Sequence, residues 1–488
     1  MAPLGNEKNQ LYLGLFIHSV KLGELQYLHD TAVCVDKSGK IVAVEQQYDQ
    51  KKAEETLYPK LGWKTDDVTV TIAKEGQFFF PGFIDTHIHA PQYPNVGIFG
   101  KSTLLDWLNT YTFPMEASLS SLPKARRVYT RCIQRTLAYG TTTAAYYATI
   151  HVPSTNLLAD LCLSLGQRAF VGRVCMDNLG PDYYLDESAS QSLAATRATI
   201  DHIRSIDADF DLISPILTPR FAPACSVDAM AQLGALHKET NLPIQTHIAE
   251  NVDELKLVRD MFPDSKNYAD VYDRFGLLGK RTILAHAIHL SDEEVDLVAS
   301  RGSKVSHCPC SNSALTSGVA RVRWLLDKGV GVGLGTDVSG GYSPSVLDAA
   351  RQAALVSNHL AMPSRTGEKQ IDAEAEDDRE RVRLSVEEVL HLATRGGAEV
   401  VCLGEKIGGF EVGKEWDAQL IGLGLVPDED DGTESKQDED QDQEHDTGNV
   451  DIFGWERWED RVAKWVFNGD DRNVKKVWVR GRLVHQRR

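Results

Sequence analysis

No stretch of about 18 or more apolar residues interrupts the 488-residue chain, so no membrane-spanning helix is expected. The first ten residues lack the basic region, apolar core and small-residue cleavage site of a secretory leader. Cysteine is scarce, with eight residues scattered from Cys34 to Cys402 and mostly set in apolar, strand-like runs. That usage suits a reduced compartment, with the cytoplasm expected, better than a disulfide framework. A basic excess is also missing. Fifty-two Lys and Arg stand against seventy Asp and Glu, a net charge of −18, which argues against nucleic acid or an anionic membrane as the main partner. With 42% hydrophobic and 25% charged residues, the chain is neither collagen-like, coiled-coil nor wholly disordered.

The acidic excess is concentrated. Residues 427–448 carry eleven acidic side chains and one lysine, Lys436, so the rest of the chain holds only −8. So polar a tract cannot bury enough surface to offset its ordering entropy, and it is expected to be a disordered, solvated spacer. A second charged stretch, 363–383, is expected to be a loop with marginal helix.

Both ends of the chain read as β-structure: strands over 11–17 and 31–44, and a strand, turn and strand over 474–484. Between them, eight short apolar runs (78–85, 142–148, 168–175, 211–217, 243–247, 282–286, 304–308 and 331–336) alternate with helical patterns such as 227–239, 293–301 and 346–358. That alternation predicts an α/β protein: a (β/α)8 TIM-like barrel with function at the C-terminal ends of its strands. A small β-sandwich domain built from both termini is expected beside it. The corresponding divisions are 1–78, 79–400 and 401–488. A last barrel helix should begin at Ser385, where Ser385 and Glu388 fit a capping box, and pause near Gly396-Gly397.

The chemistry-bearing residues fall where the apolar runs stop. Phe83-Ile84-Asp85-Thr86-His87-Ile88-His89 closes the first run, and two His one residue apart on a strand share a face. Imidazoles so placed suit Zn2+ or Fe2+, although a His-x-His pair alone is commonly structural. His247 ends the fifth run with Glu250 three residues on, His286 ends the sixth, and Asp337 follows the eighth. In a barrel, these four places share one mouth. Cys308 and Cys310 have no second Cys pair nearby and are assigned to packing.

The sequence resembles the metal-dependent amidohydrolase superfamily, and within it the branch that deaminates guanine. The carrying segments are PGFIDTHIHAPQY (81–93), WLNTYTFPME (107–116), GTTTAAYYATIH (140–151), TPRF (218–221), HIAEN (247–251), HCPCSN (307–312) and GTDVSGGY (335–342). Cys310 departs from the Asn expected there in animal relatives. The resemblance implies that His87, His89, His247 and Asp337 hold one zinc ion, a ligand set that also accepts Fe2+. His286 is placed with catalysis beside Glu250 and Asp337. It further implies a hydrolase acting on the C–N bond of a cyclic amidine, releasing ammonia from C2 of guanine to give xanthine in purine catabolism, and a homodimer.

In that scheme Asp337 and His286 orient the attacking water, with Asp337 accepting its proton. Glu250 protonates a ring nitrogen and then serves the departing ammonia, as in other zinc deaminases; a plain helix N-terminal carboxylate is the other role open to it. Arg220 offers a donor fork for the O6/N7 side of guanine, and Gln92 could read the other edge. Phe221 and Trp107 form a stacking wall, with core packing the alternative for Trp107 and a loop salt bridge the alternative for Arg220. The substrate-binding set is therefore Gln92, Trp107, Arg220, Phe221, His247 and Glu250. Two other functions stay open at this point. One is hydrolysis of a pterin, triazine or other amino-heterocycle at the same metal site. The other is a scaffold protein that kept the fold without catalysis, which loss of the ligands would favour.

Overall fold

The computed structural model describes residues 6–362, 376–427 and 448–487. The expected disorder of the acidic tract concerns residues 428–447, outside the described residues. Of the charged stretch 363–383, the described part forms the helix Glu376–Val382.

Five strands open the chain: β1 (Asn9–Lys21), β2 (Glu24–Val35), β3 (Ile41–Gln46), β4 (Val68–Ile72) and β5 (Gln77–Pro81). The middle holds β6 (Phe83–His89), β7 (Thr141–Tyr147), β8 (Arg168–Gly172), β9 (Val174–Cys175), β10 (Ile213–Pro215), β11 (Thr218–Pro219), β12 (Ile244–Ile248), β13 (Thr282–His286), β14 (Lys304–His307) and β15 (Val332–Leu334). The end contributes β16 (Ala418–Gly422), β17 (Gly424–Leu425), β18 (Asp451–Ile452), β19 (Val474–Val479) and β20 (Arg482–Gln486).

The two termini do meet. Their hydrogen bonds form one continuous eight-stranded sheet, ordered β20-β19-β16-β5-β1-β2-β3 with β4 also on β1. Aromatic side chains fill one of its faces: Tyr12 stacks on Trp416 at 4.1 Å between ring centroids and Phe16 on Phe79 at 4.7 Å.

The central strands are parallel and arranged in two groups of four, β10-β8-β7-β6 and β12-β13-β14-β15, with a short pair β11-β9. Helices such as Val152–Leu165, Ala189–Ile206 and Asp292–Arg301 connect them, the connection that parallel neighbours require. These strands are buried on both faces, which is why they read as unbroken apolar runs and not as alternating patterns. The helices begin and end where local chemistry dictates. Ser291 and Glu294 form a capping box before Asp292–Arg301, and Gly302 stops that helix in the left-handed conformation with φ 70°. No helix among the described residues is long and apolar enough to cross a membrane.

Two details differ from the sequence expectation. The run 78–85 is split at Gly82: β5 pairs antiparallel with β16 in the terminal sheet, while β6 pairs parallel with β7. A Cβ on Gly82 would lie 2.2 Å from the Thr142 hydroxyl, so only glycine lets the chain pass between the sheets. The expected pause at Gly396-Gly397 falls earlier, at Thr394, between helices Val386–Ala393 and Arg395–Val400. The two glycines instead lie inside the second helix and let it approach the strands. A Cβ on Gly396 would meet the Val332 carbonyl at 2.9 Å, and one on Gly397 would meet Ile84 Cβ at 3.0 Å.

Candidate active site

Four side chains converge at the ends of three strands. His87 and His89 lie on β6, His247 on β12, and Asp337 three residues beyond β15. One ligand atom from each lies within 4.8 Å of all the others, and all four residues are buried. Parallel strands bring them together because every strand presents the same end. The turns that follow are tight: Ala249, His286 and Asp337 all take positive φ (49°, 73° and 47°), a conformation that non-glycine residues adopt when surrounding contacts hold them.

Those contacts are identifiable. Asp337 N donates to His87 O at 2.9 Å and His89 N donates to Val338 O at 3.1 Å, lacing the end of β15 to β6. Asp85, fully buried on β6, accepts from His87 N (3.2 Å), Thr336 N (3.0 Å) and the Thr336 hydroxyl (2.5 Å). It thereby holds the residues beside two candidate ligands, and burial pushes its carboxyl up to about 7.

The donor set fits a metal ion. His89 Nε2 and His247 Nε2 face each other at 3.2 Å, and Asp337 Oδ1 lies 3.1 Å from His87 Nε2 and 3.4 Å from His89 Nε2. His87 Nε2, although buried and close to that carboxylate, makes no hydrogen bond among the described residues. His247 Nδ1 donates to the Arg220 carbonyl at 2.5 Å, which turns the Nε2 lone pair toward the cluster. Burial lowers the pKa of all three imidazoles, so they are neutral, as metal ligands must be. Burial alone would raise Asp337, but His87, His286 and His89 hold its carboxyl well below the usual range. Three neutral imidazoles and a carboxylate make a set for zinc or another transition ion.

Beside this cluster stand His286 and Glu250. His286 Nε2 is 3.4 Å from Glu250 Oε2 and 3.8 Å from Asp337 Oδ2, while its Nδ1 is held by Asn312 Oδ1 at 2.9 Å. Burial acts to lower the His286 pKa, but Glu250 and Asp337 outweigh it and raise it. Burial pushes Glu250 up to about 7, against the pull of His286. Glu250 is not the helix-capping carboxylate: that place is taken by Glu254, which accepts from the backbone N–H groups of Glu250 (2.9 Å) and Asn251 (3.2 Å). The Glu250 side chain instead accepts from Ser317 Oγ at 3.3 Å.

A cavity opens onto these groups. His89, His247, Glu250, His286 and Asp337 line it together with Gln92, Trp107, Arg220 and Phe221. Every candidate site residue taken from the sequence except His87 therefore contributes to its wall. A second cavity, at Arg321, Trp324 and Leu384, has no cluster of metal-ligating groups among the described residues.

The lining at Arg220 and Gln92 differs from expectation in one respect. Arg220 is indeed in a salt bridge, but a buried one: its Nη1 and Nη2 donate to Glu116 at 2.6 and 3.1 Å. Gln92 Nε2 donates to the same carboxylate at 2.8 Å, as does the Tyr184 hydroxyl at 2.8 Å. The Gln92 carbonyl is also engaged, accepting from Ser339 N at 3.2 Å. Trp107 is both core and wall. It is buried among Leu104, Leu108, Phe113 and Phe221, and its indole N–H donates to Ile98 O at 3.4 Å. Sequence reasoning missed Asp85, Glu116 and Asn312 as functional groups, although all three lie inside the segments that carried the resemblance.

Comparison with known proteins agrees with this geometry. A model of the amidohydrolase family matches residues 78–484. A probable guanine deaminase of Schizosaccharomyces pombe is 48% identical over 97% of this chain and 83% of its own length. The guanine deaminase of Homo sapiens is 39% identical over 99% of this chain and 97% of its own. The crystal structure of guanine deaminase from C. acetobutylicum with bound guanine in the active site superposes with a TM-score of 0.80 at 31% identity, covering 98% of this chain and all of that one. The chain belongs to the amidohydrolase family.

Proposed function

We propose that the protein hydrolyses guanine at C2, releasing ammonia and leaving xanthine. One observation carries this reading: the metal-ligand cluster, a buried carboxyl with its pKa near neutrality and a donor-bearing wall all open into one cavity. The guanine deaminases matched over nearly the whole chain support it. The scaffold alternative requires loss of ligands, and all four are present and converge.

A divalent ion held by His87, His89, His247 and Asp337, zinc in this proposal, would supply hydroxide at neutral pH by lowering the pKa of water. Asp337 and His286 orient the attacking water, and Asp337 accepts its proton. Glu250, protonated near neutral pH, gives its proton to ring N3 as the C2–O bond forms; the proton taken from the attacking water goes to the amine as the C2–N bond breaks, and the proton of the new C2 hydroxyl restores Glu250 as the carbonyl forms. Water thus contributes one oxygen to xanthine, and its hydrogens are shared between product and ammonia. Trp107 and Phe221 flank the ring plane, and Arg220 faces the O6/N7 edge.

The proposal extends to architecture. The two parallel groups are bridged at Leu217–Ile244 and Phe221–His247 and laced from β15 to β6, which supports reading 79–400 as a (β/α)8 barrel. Segments 1–78 and 401–488 then form the accessory β-domain. A cytoplasmic location, carried by the cysteine usage, and a homodimer, carried by the resemblance alone, are part of the same reading.

The test is ammonia and xanthine release from guanine before and after chelation and zinc return, with adenine and cytosine alongside. Guanine-selective, zinc-restored turnover is expected. Metal binding without guanine turnover would overturn the substrate and leave the metal site standing.

A further inference from the structure

Glu116 sits where three elements meet. It lies on the helix Phe113–Ser118 and is wholly buried, yet it carries a carboxylate. Its two oxygens accept four hydrogen bonds, from Arg220 Nη1 and Nη2, Gln92 Nε2 and the Tyr184 hydroxyl. A buried charge is tolerated only when paired and hydrogen-bonded in this way. The consequence for the cavity lies in what those bonds leave free.

A carboxylate only accepts. It therefore fixes the Gln92 amide with nitrogen toward Glu116 and oxygen toward Ser339, from whose N–H (3.2 Å) and hydroxyl (3.5 Å) that oxygen accepts; with both lone pairs engaged, Gln92 has an N–H left to offer a ligand. Arg220 is gripped end-on through both Nη atoms. A guanidinium held that way still carries a second fork, the Nε–H with the neighbouring Nη–H, and Arg220 Nε has no partner among the described residues. With both residues so fixed, this wall of the cavity presents donors and no free acceptor from either of them.

We propose that Glu116 is the positioning residue for substrate specificity: by orienting Arg220 and Gln92 it makes the wall donor-only, so that purines with an oxo group at C6 are accepted and those with an amino group there are rejected. A 6-amino group would place N–H against N–H, with no acceptor to turn toward it. Sites built to hydrogen-bond one group reject the mismatched analogue by as much as ~10^4. Glu116 does not itself have to touch the ligand. The inference rests on the proposed guanine reading, which places the six-membered ring with its C6 substituent toward Arg220.

The pair that isolates the effect is guanine and 2,6-diaminopurine, which share the C2 amine and differ at C6. For the intact metal-loaded protein, kcat/KM should favour guanine strongly. In Glu116→Gln the amide side chain can both donate and accept, Gln92 is free to turn over, and the ratio should fall by about 100-fold or more, mostly through a higher KM for guanine. Tyr184→Phe, which removes one donor and leaves the Arg220 and Gln92 contacts, should move the ratio less than 10-fold. A second readout avoids catalysis altogether: in chelated protein, calorimetry should show hypoxanthine bound more tightly than adenine by wild type, with the difference collapsing in Glu116→Gln. If Glu116→Gln weakens both members of each pair equally, or if it folds and keeps the wild-type ratio, the specificity role is overturned. If wild type turns over neither guanine nor 2,6-diaminopurine while hypoxanthine is still preferred to adenine, the reaction assignment fails and the positioning role stands.

Discussion

Asp85 and Thr336 are 251 residues apart in sequence and joined by two hydrogen bonds, from the Thr336 backbone N–H and from its hydroxyl, to the two oxygens of one carboxylate. The same Asp85 oxygen that takes the backbone N–H also accepts from His87 N. One side chain therefore sets the distance between the strand bearing His87 and His89 and the turn bearing Asp337. It touches no ligand atom, yet a carboxylate ligand and two imidazoles keep their places through it. Asp85→Asn retains one acceptor and should lower metal affinity and turnover by about 10-fold. Asp85→Ala should lower them by up to about 100-fold, the usual range for groups that orient ligands. Metal content at a fixed free-zinc concentration, measured beside guanine turnover, checks this. Full metal occupancy and full activity in Asp85→Ala would show that the backbone bonds alone suffice.

Glu250 makes a different prediction because it holds no ligand atom of the cluster. Its carboxyl is pushed up to about 7 by burial, poised to give and take a proton at neutral pH. Glu250→Gln preserves shape and the Ser317 contact but has no proton to transfer. Turnover should fall by about 10^2–10^4-fold, with zinc content unchanged and guanine still bound. Loss of zinc in parallel with activity would move Glu250 from acid–base work to maintenance of the site.

Much of this site was legible in the sequence because strand ends are legible. His87, His89, His247, His286 and Asp337 each stand at or just past an apolar run, and a parallel sheet gathers such ends without further instruction. Helices with complete local signals were equally plain: the Ser385–Glu388 capping box is present as expected. What stayed hidden depends on contacts between distant segments. Gly82 divides one apolar run between two sheets because of Thr142, a side chain sixty residues away. Gly396 and Gly397 look like a helix break and are in fact a close-packing surface, while the break falls at Thr394, where φ and ψ leave the helical region. Glu116 could be seen inside a matching segment, but nothing local shows that it pairs with Arg220 more than one hundred residues on.

The terminal sheet is clamped to the parallel strands by charge as well as by packing. Arg168, the first residue of β8, donates through Nε to Asp417 (3.0 Å) and through Nη2 to Glu415 (2.5 Å), all three buried just before or beside β16. Asp417 also accepts from Arg480 N at 2.8 Å. Burial acts to lower the Arg168 pKa, and Asp417 and Glu415 more than restore it. Asp417→Ala leaves a buried guanidinium partly uncompensated and should cost about 3 kcal/mol of stability, read from denaturant unfolding. The loss should be one of stability first, with the metal site intact in the folded fraction. A cost below about 1 kcal/mol would mean that Glu415 alone neutralises Arg168.

His391 gives the fold a defined acid sensitivity. It lies on the helix Val386–Ala393, only 8% exposed, with Nδ1 2.8 Å from the Ser19 hydroxyl of β1. Burial, aided by the Arg395 charge, brings its pKa down from 6.5 to about 4. The unfolded chain therefore binds this proton near pH 6.5 while the folded chain resists it until about pH 4. Stability is complete above the unfolded value and is lost as pH falls through that window, by about 2 kcal/mol between pH 7 and pH 5 for this group. His391→Gln keeps a neutral hydrogen-bonding side chain and removes the titration. Its unfolding free energy should be lower than wild type by a constant amount above pH 7, with the gap narrowing or reversing by pH 5. Parallel loss of stability in both proteins across pH 7 to 5 would place the acid sensitivity elsewhere in the fold.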